Sequence, residues 1–122
     1  MTLQISAIYQ AQYVASGGVA KLTFTTLNAI LAGGTVVPAN TQVLLTSLVV
    51  INTTNTVATI ALYRGTAGTQ QFTLLYTQNL APGQSLQVLS APIVLMAGDA
   101  IWGLAGTAAA INVTGDGEVL VQ

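Results

Sequence analysis

No charged residue stands between Lys21 and Arg64, and none between Arg64 and Asp99. Asp116 and Glu118 complete the set. Charged residues make up 4% of the chain, against about 25% in an average soluble domain. Apolar residues make up 52%. A surface with so few charges is sticky in isolation, because charge is what keeps folded chains apart. The apolar residues must therefore be buried in a core, in a membrane or against other subunits.

A membrane is the weakest of these. The densest apolar run is VLLTSLVVI, residues 43–51, and a spanning helix needs about 20 apolar residues. A membrane β-barrel would take about eight strands of roughly ten residues each, which nearly exhausts the chain. The expectation is no membrane, and a surface largely covered by other subunits, with Thr, Gln, Asn and Ser wetting the remainder. The net charge of −1 offers no electrostatic footprint for nucleic acid. With 122 residues the chain has room for one domain with a real core. It has no cysteine, hence no disulfides and no thiol chemistry. MTLQISAIYQAQ lacks the basic region and apolar core of a signal peptide. Folding in a cytoplasm is expected.

Thr and aliphatic residues dominate, and Pro and Gly punctuate, which predicts strands. LQISAIY (3–9), VAKLTFT (19–25), VATIALYR (57–64) and QQFTLLYT (70–77) read as strands. So do SLQVLS (85–90), DAIWGLA (99–105), AINVTG (110–115) and GEVLVQ (117–122). QVLLTSLVVIN (42–52) is apolar on both faces and predicts a central buried strand. LAPG predicts a Pro-Gly turn, and Asp116-Gly117 predicts a hairpin turn with positive φ. Residues 23–34 read either as a short helix capped by Gly33 or as a strand entering a loop; the neighbouring Thr and Val favour the extended form. Strands every 10 to 14 residues predict an all-β fold, a single jelly-roll-like β-sandwich over 19–122 preceded by an extended N-terminal arm over 1–18.

The search for chemistry is short. Histidine is absent, so the commonest general base and metal ligand is missing. The serines carry no signature of activation, and Lys21 is the only candidate lysine base. No phosphate loop or dinucleotide fingerprint is present. Asp116 and Glu118 lie two apart and share a strand face, a poor start for calcium, which takes six to eight oxygens. Asp99 follows Gly98, a pairing that suits a tight turn whose backbone N–H groups the carboxylate accepts. Trp102, with the tyrosines at 9, 13, 63 and 76, offers stacking surfaces for a glycan, but its neighbours Ile101 and Leu104 favour packing. Asn52 and Asn112 head NTT and NVT sequons and read as strand-edge polar residues. No catalytic, cofactor-binding or metal-binding residue is assigned, and no enzyme is expected.

LLTSLVVINTTNTVATIALYRG, then NLAPGQSLQV, then APIVLMAGDAIWGLAGTAAAINVTGDGEV, resembles an arrangement found in small virion proteins of tailed bacteriophages. The likeness spans residues 38 to 121. It consists of a strand ending in an Asn-Thr turn, a paired strand ending in an aliphatic-Tyr run, a Pro-Gly turn and an alanine-glycine-aspartate corner. The resemblance implies a β-sandwich that assembles with copies of itself, often as a trimer, on a phage particle. It implies a capsid decoration (cement) protein that binds between major capsid subunits. The alternatives are a tail, baseplate or fibre component, and a glycan or host-surface binding module. The implied location is the virion, after synthesis in the bacterial cytoplasm.

Overall fold

Backbone positions are described here for residues 2–66 and 71–122 of a computed structural model, and side-chain surroundings for 6–66 and 77–122. The strands are β1 (Thr2–Tyr13), β2 (Ala20–Lys21), β3 (Thr41–Asn52), β4 (Ala58–Thr66) and β5 (Gln71–Leu80). After them come β6 (Ser85–Gln87), β7 (Ile93–Leu95), β8 (Asp99–Ala105) and β9 (Ile111–Val121). No helix occurs among the described residues.

The strands form two antiparallel sheets packed face to face. The first runs β1-β9-β3, with β6 and β7 lying along the far side of β3. The second runs β2-β8-β4-β5. β6 meets one half of β3 and β7 the other, so the two act as halves of one broken strand. Counted that way, each sheet has four strands, and every connection but the β4–β5 hairpin crosses between sheets. This is the jelly-roll arrangement, in which the chain winds around two sheets.

The core lies between the sheets. Val43, Leu45, Leu48 and Val50 of β3 and Val113 and Val119 of β9 face Ile60, Leu62 and Ile101 of the second sheet. The inward residues of β3 switch from odd to even numbers. A bulge between Leu45 and Ser47 inserts Thr46 and resets the side-chain alternation. The strand is central, as its sequence predicts, but it is buried on one face only: Leu44 and Val49 point outward and Ile51 is exposed.

Asp116-Gly117 is not a hairpin. β9 runs unbroken from Ile111 to Val121, and the two expected strands are one. Both neighbours bulge beside this dipeptide, β3 at Thr46 and β1 between Ala7 and Tyr9. A Cβ on Gly117 would collide with the Leu44 carbonyl. The glycine therefore serves close approach of backbones and not a turn.

The segment expected as an N-terminal arm contributes β1, paired along its length with β9 of its own chain. Its Ile8, Tyr9 and Val14 belong to the core. Tyr9 stacks on Phe24 with centroids 5.1 Å apart. Of the expected strand 19–25, only Ala20–Lys21 pairs as a strand, with Phe24 adding one bridge to Tyr9. Residues 23–34 form neither helix nor strand. They make a compact loop in which Asn28 Oδ1 accepts the N–H groups of Ile30 (2.9 Å) and Leu31 (3.2 Å), and Gly33 N–H bonds the Thr25 carbonyl (3.0 Å). Side-chain-to-backbone bonding of this kind competes with regular structure. The loop's Phe24 and Leu31 plug into the core.

Candidate functional site

Asp99 sits at the start of β8, after a turn in which its N–H bonds the Met96 carbonyl (2.9 Å) and Gly98 takes φ 91°. Positive φ at this third position suits glycine. The carboxylate closes the turn from the other side: Oδ2 accepts the Met96 N–H (3.0 Å) and Oδ1 accepts the Thr66 hydroxyl (3.3 Å). Arg64 Nη2 stands 3.8 Å from Oδ2, with its side chain 36% exposed. The Asp99 carbonyl also accepts the Val37 N–H, and the Gly98 N–H bonds the Val37 carbonyl, both at 2.9 Å. The carboxylate thus ties the turn before β8 to β4, while the backbone of Gly98 and Asp99 ties it to the segment leading into β3. Its bonds are those of a turn.

Lys21, Trp102 and Tyr63 form one row on the outer face of the second sheet. Lys21 of β2 is opposite Trp102 of β8, which is opposite Tyr63 of β4. Lys21 Nζ lies 5.3 Å from the indole centroid, a cation–π contact. Trp102 Nε1 donates to the Gly65 carbonyl at 3.3 Å. The indole is therefore fixed at its edge and covered on its ring. Beside this row the outward pair is Ala61 and Leu104. These two small or aliphatic side chains floor a shallow groove of about 290 Å³, rimmed by Ser16, Thr59, Thr77 and Gly106.

The outer face of the first sheet also carries apolar side chains. Val94, Leu44 and Glu118 lie side by side across β7, β3 and β9, and Gln42 lies beside Leu120. Together they line a hollow of about 180 Å³. Val94 is 40% exposed there, and Met96, just past β7, is 48% exposed. Asp116 and Glu118 share this face, as their spacing predicts, with buried Gly117 between them. Among the described residues no three ligand-type side chains come together to hold a metal ion.

Two polar groups matter more than their sequence suggests. Asn52 is fully buried. Its Nδ2 donates to the Thr56 (2.7 Å) and Leu80 (3.1 Å) carbonyls, and its Oδ1 accepts the Thr54 N–H (2.9 Å) and hydroxyl (2.7 Å). Its backbone bonds Gly83 and Gln84, both at 3.0 Å. One side chain thus clamps the β3–β4 turn to the Pro-Gly turn after β5. The NTT pattern that marks an Asx turn was its only signal. Tyr9 carries the second group. Its buried hydroxyl makes no hydrogen bond of good geometry among the described residues. Burial pushes the phenol's pKa well above its ordinary value, only partly offset by the nearby Ile101 backbone, so it stays protonated.

No family model, curated protein or solved structure matches this chain.

Proposed function

We propose that the chain is a structural protein of a tailed-phage virion, and within that class a capsid decoration protein that binds between capsid subunits. The observation that carries this reading is the outer surface of the sandwich. Both sheets turn apolar side chains outward, Leu44, Val94 and Leu120 on one and Ala61, Trp102 and Leu104 on the other. With two basic and three acidic residues in the chain, little charge is available to keep those faces apart. Apolar outward faces are what a chain buried among other subunits requires, because obligate interfaces resemble a domain core cut in half. The fold supports the reading by analogy, since jelly rolls recur in viral capsid and lectin domains. The sequence resemblance over residues 38 to 121 supplies the particle.

The Asp99 carboxylate oxygens are taken up by a turn. The proposed mechanism is mechanical: buried apolar area and backbone hydrogen bonds between neighbours hold the shell. The test uses heads of the phage whose genome encodes the chain, prepared without its gene. Purified protein added back should bind at saturating, lattice-defined copy number and raise the temperature at which heads open. Heads that bind none of it would refute decoration. A glycan-binding reading draws on the groove beside Trp102 with its Ser and Thr rim. It predicts saccharide-dependent quenching of tryptophan fluorescence.

A further inference from the structure

We propose that Asp116 is a site of spontaneous main-chain isomerisation that the folded chain holds shut, so that isoaspartate forms there only while the chain is unfolded and then bars it from folding. Asp116-Gly117 has the composition this reaction needs. The Gly117 amide nitrogen bonds to the Asp116 side-chain carbonyl carbon. The protonated carboxyl gives up its hydroxyl and the amide its hydrogen, together one water, and a succinimide ring closes. Water then adds to a ring carbonyl and breaks its bond to nitrogen. Where that carbonyl is the one on Cα, the nitrogen stays on the side-chain carbon. The main chain then runs through Cβ and Cγ, with no change in mass. Glycine favours ring closure because no Cβ crowds the attacking nitrogen.

The fold itself demands this vulnerable dipeptide. Gly117 is required by the Leu44 carbonyl, which would collide with any Cβ there. Asp116 is exposed, and its carboxylate has no hydrogen bond or ion pair among the described residues. The side chain is free to react, and the backbone alone holds it back. A near-planar five-membered ring needs the Cβ–Cα–C–N torsion of Asp116 close to zero. An antiparallel strand, with ψ near about +135°, keeps that torsion roughly 100° away. The strand is β9, which lies inside its sheet between β1 and β3. Gly117 is opposite Ser6 on one side and Leu45 on the other. Thr46 Oγ1 donates to the Asp116 carbonyl at 3.1 Å. Turning Asp116 into the ring-forming conformation breaks that bond and swings the chain off both neighbours. The reaction therefore waits for an opening that separates β9 from its sheet. The product fits no better. Isoaspartate adds a main-chain carbon ahead of Glu118, Val119 and Leu120, which are opposite Leu44, Val43 and Gln42 of β3. Val119 is wholly buried. A strand with an inserted atom cannot keep both ladders in register while seating Val119 in the core. This inference rests on β9 and is independent of the proposed function.

The test incubates the purified chain at neutral pH, once folded and once in guanidinium chloride. Chymotryptic peptides are then read by electron-transfer fragmentation, which separates isoaspartate from aspartate. Isoaspartate at 116 should accumulate in the denatured sample and form more slowly by about tenfold or more in the folded one. On dilution from denaturant, the refolded fraction should carry aspartate at 116, and the fraction that fails to refold should be enriched in isoaspartate. D116E keeps the charge but would have to close a six-membered ring, which is far slower. It should acquire no isomer at this position and should refold fully after the same incubation. Equal rates in the folded and denatured samples would overturn the proposal, as would a denatured sample that forms no isoaspartate at 116. So would isoaspartate-bearing chains that refold with an unchanged melting temperature, or a D116E variant that loses refolding to the same extent.

Discussion

Asn52 and Tyr9 put the two sides of buried polarity in one core. Asn52 satisfies its amide with four side-chain hydrogen bonds. Asn52→Ala would leave the Leu80 and Thr56 carbonyls and the Thr54 N–H without that partner, and a buried group left unsatisfied costs about 1–3 kcal/mol. Unfolding in urea should show a loss of roughly 2–3 kcal/mol on this scale. Tyr9 has the opposite problem. Its hydroxyl is buried without a bond of good geometry, while its ring packs on Phe24 and against Gly115. Tyr9→Phe keeps the ring and removes the unsatisfied group, so the same measurement should show a gain of about 1 kcal/mol. Asp99→Ala removes the bonds to Met96 and Thr66 and should cost about 0.5–2 kcal/mol, as at capping sites. A stability left unchanged by Asp99→Ala would mean that the turn holds without its carboxylate.

Gly117 shows where local sequence stops being informative about elements. Asp-Gly is a strong hairpin signal because a two-residue turn needs positive φ. Here the same dipeptide lies mid-strand, between two bulges, and the glycine is required by the Leu44 carbonyl on the next strand. That demand comes from a residue far away in sequence, so no window around 117 contains it. Gly117→Ala should cost about 3 kcal/mol or more, at the upper end for overpacking, because the clash is with backbone. Turns whose partners are local were legible. Gly83 after Pro82, with φ 72°, and Gly98 before Asp99 take the positions their motifs predict. The long alternating strands were legible too. Residues 23–34 were not, because Asn28 and Thr25 organise them by individual side-chain and backbone bonds that leave no period in the sequence. The pairing of β1 was also invisible, since nothing in LQISAIY names its partner. Ile8, Tyr9 and Val14 lie in the core. Deleting residues 1–18 should therefore abolish the cooperative thermal transition, whereas a detachable arm would leave it intact.

At the scale of the molecule, the composition and the jelly roll make the same demand. A sandwich buries one face of each sheet and leaves the other to water. In this chain the outward faces carry Leu44, Val94, Leu120, Trp102 and Leu104. Such a surface calls for neighbours, which the proposed capsid lattice would supply. The proposed function is tested most directly by quantitative mass spectrometry of particles released from the cells that make the protein, with heads and tails separated. Decoration predicts that the protein resides in the head fraction at a copy number comparable to that of the major capsid protein. A small copy number confined to the tail fraction, or absence from both fractions, would contradict it.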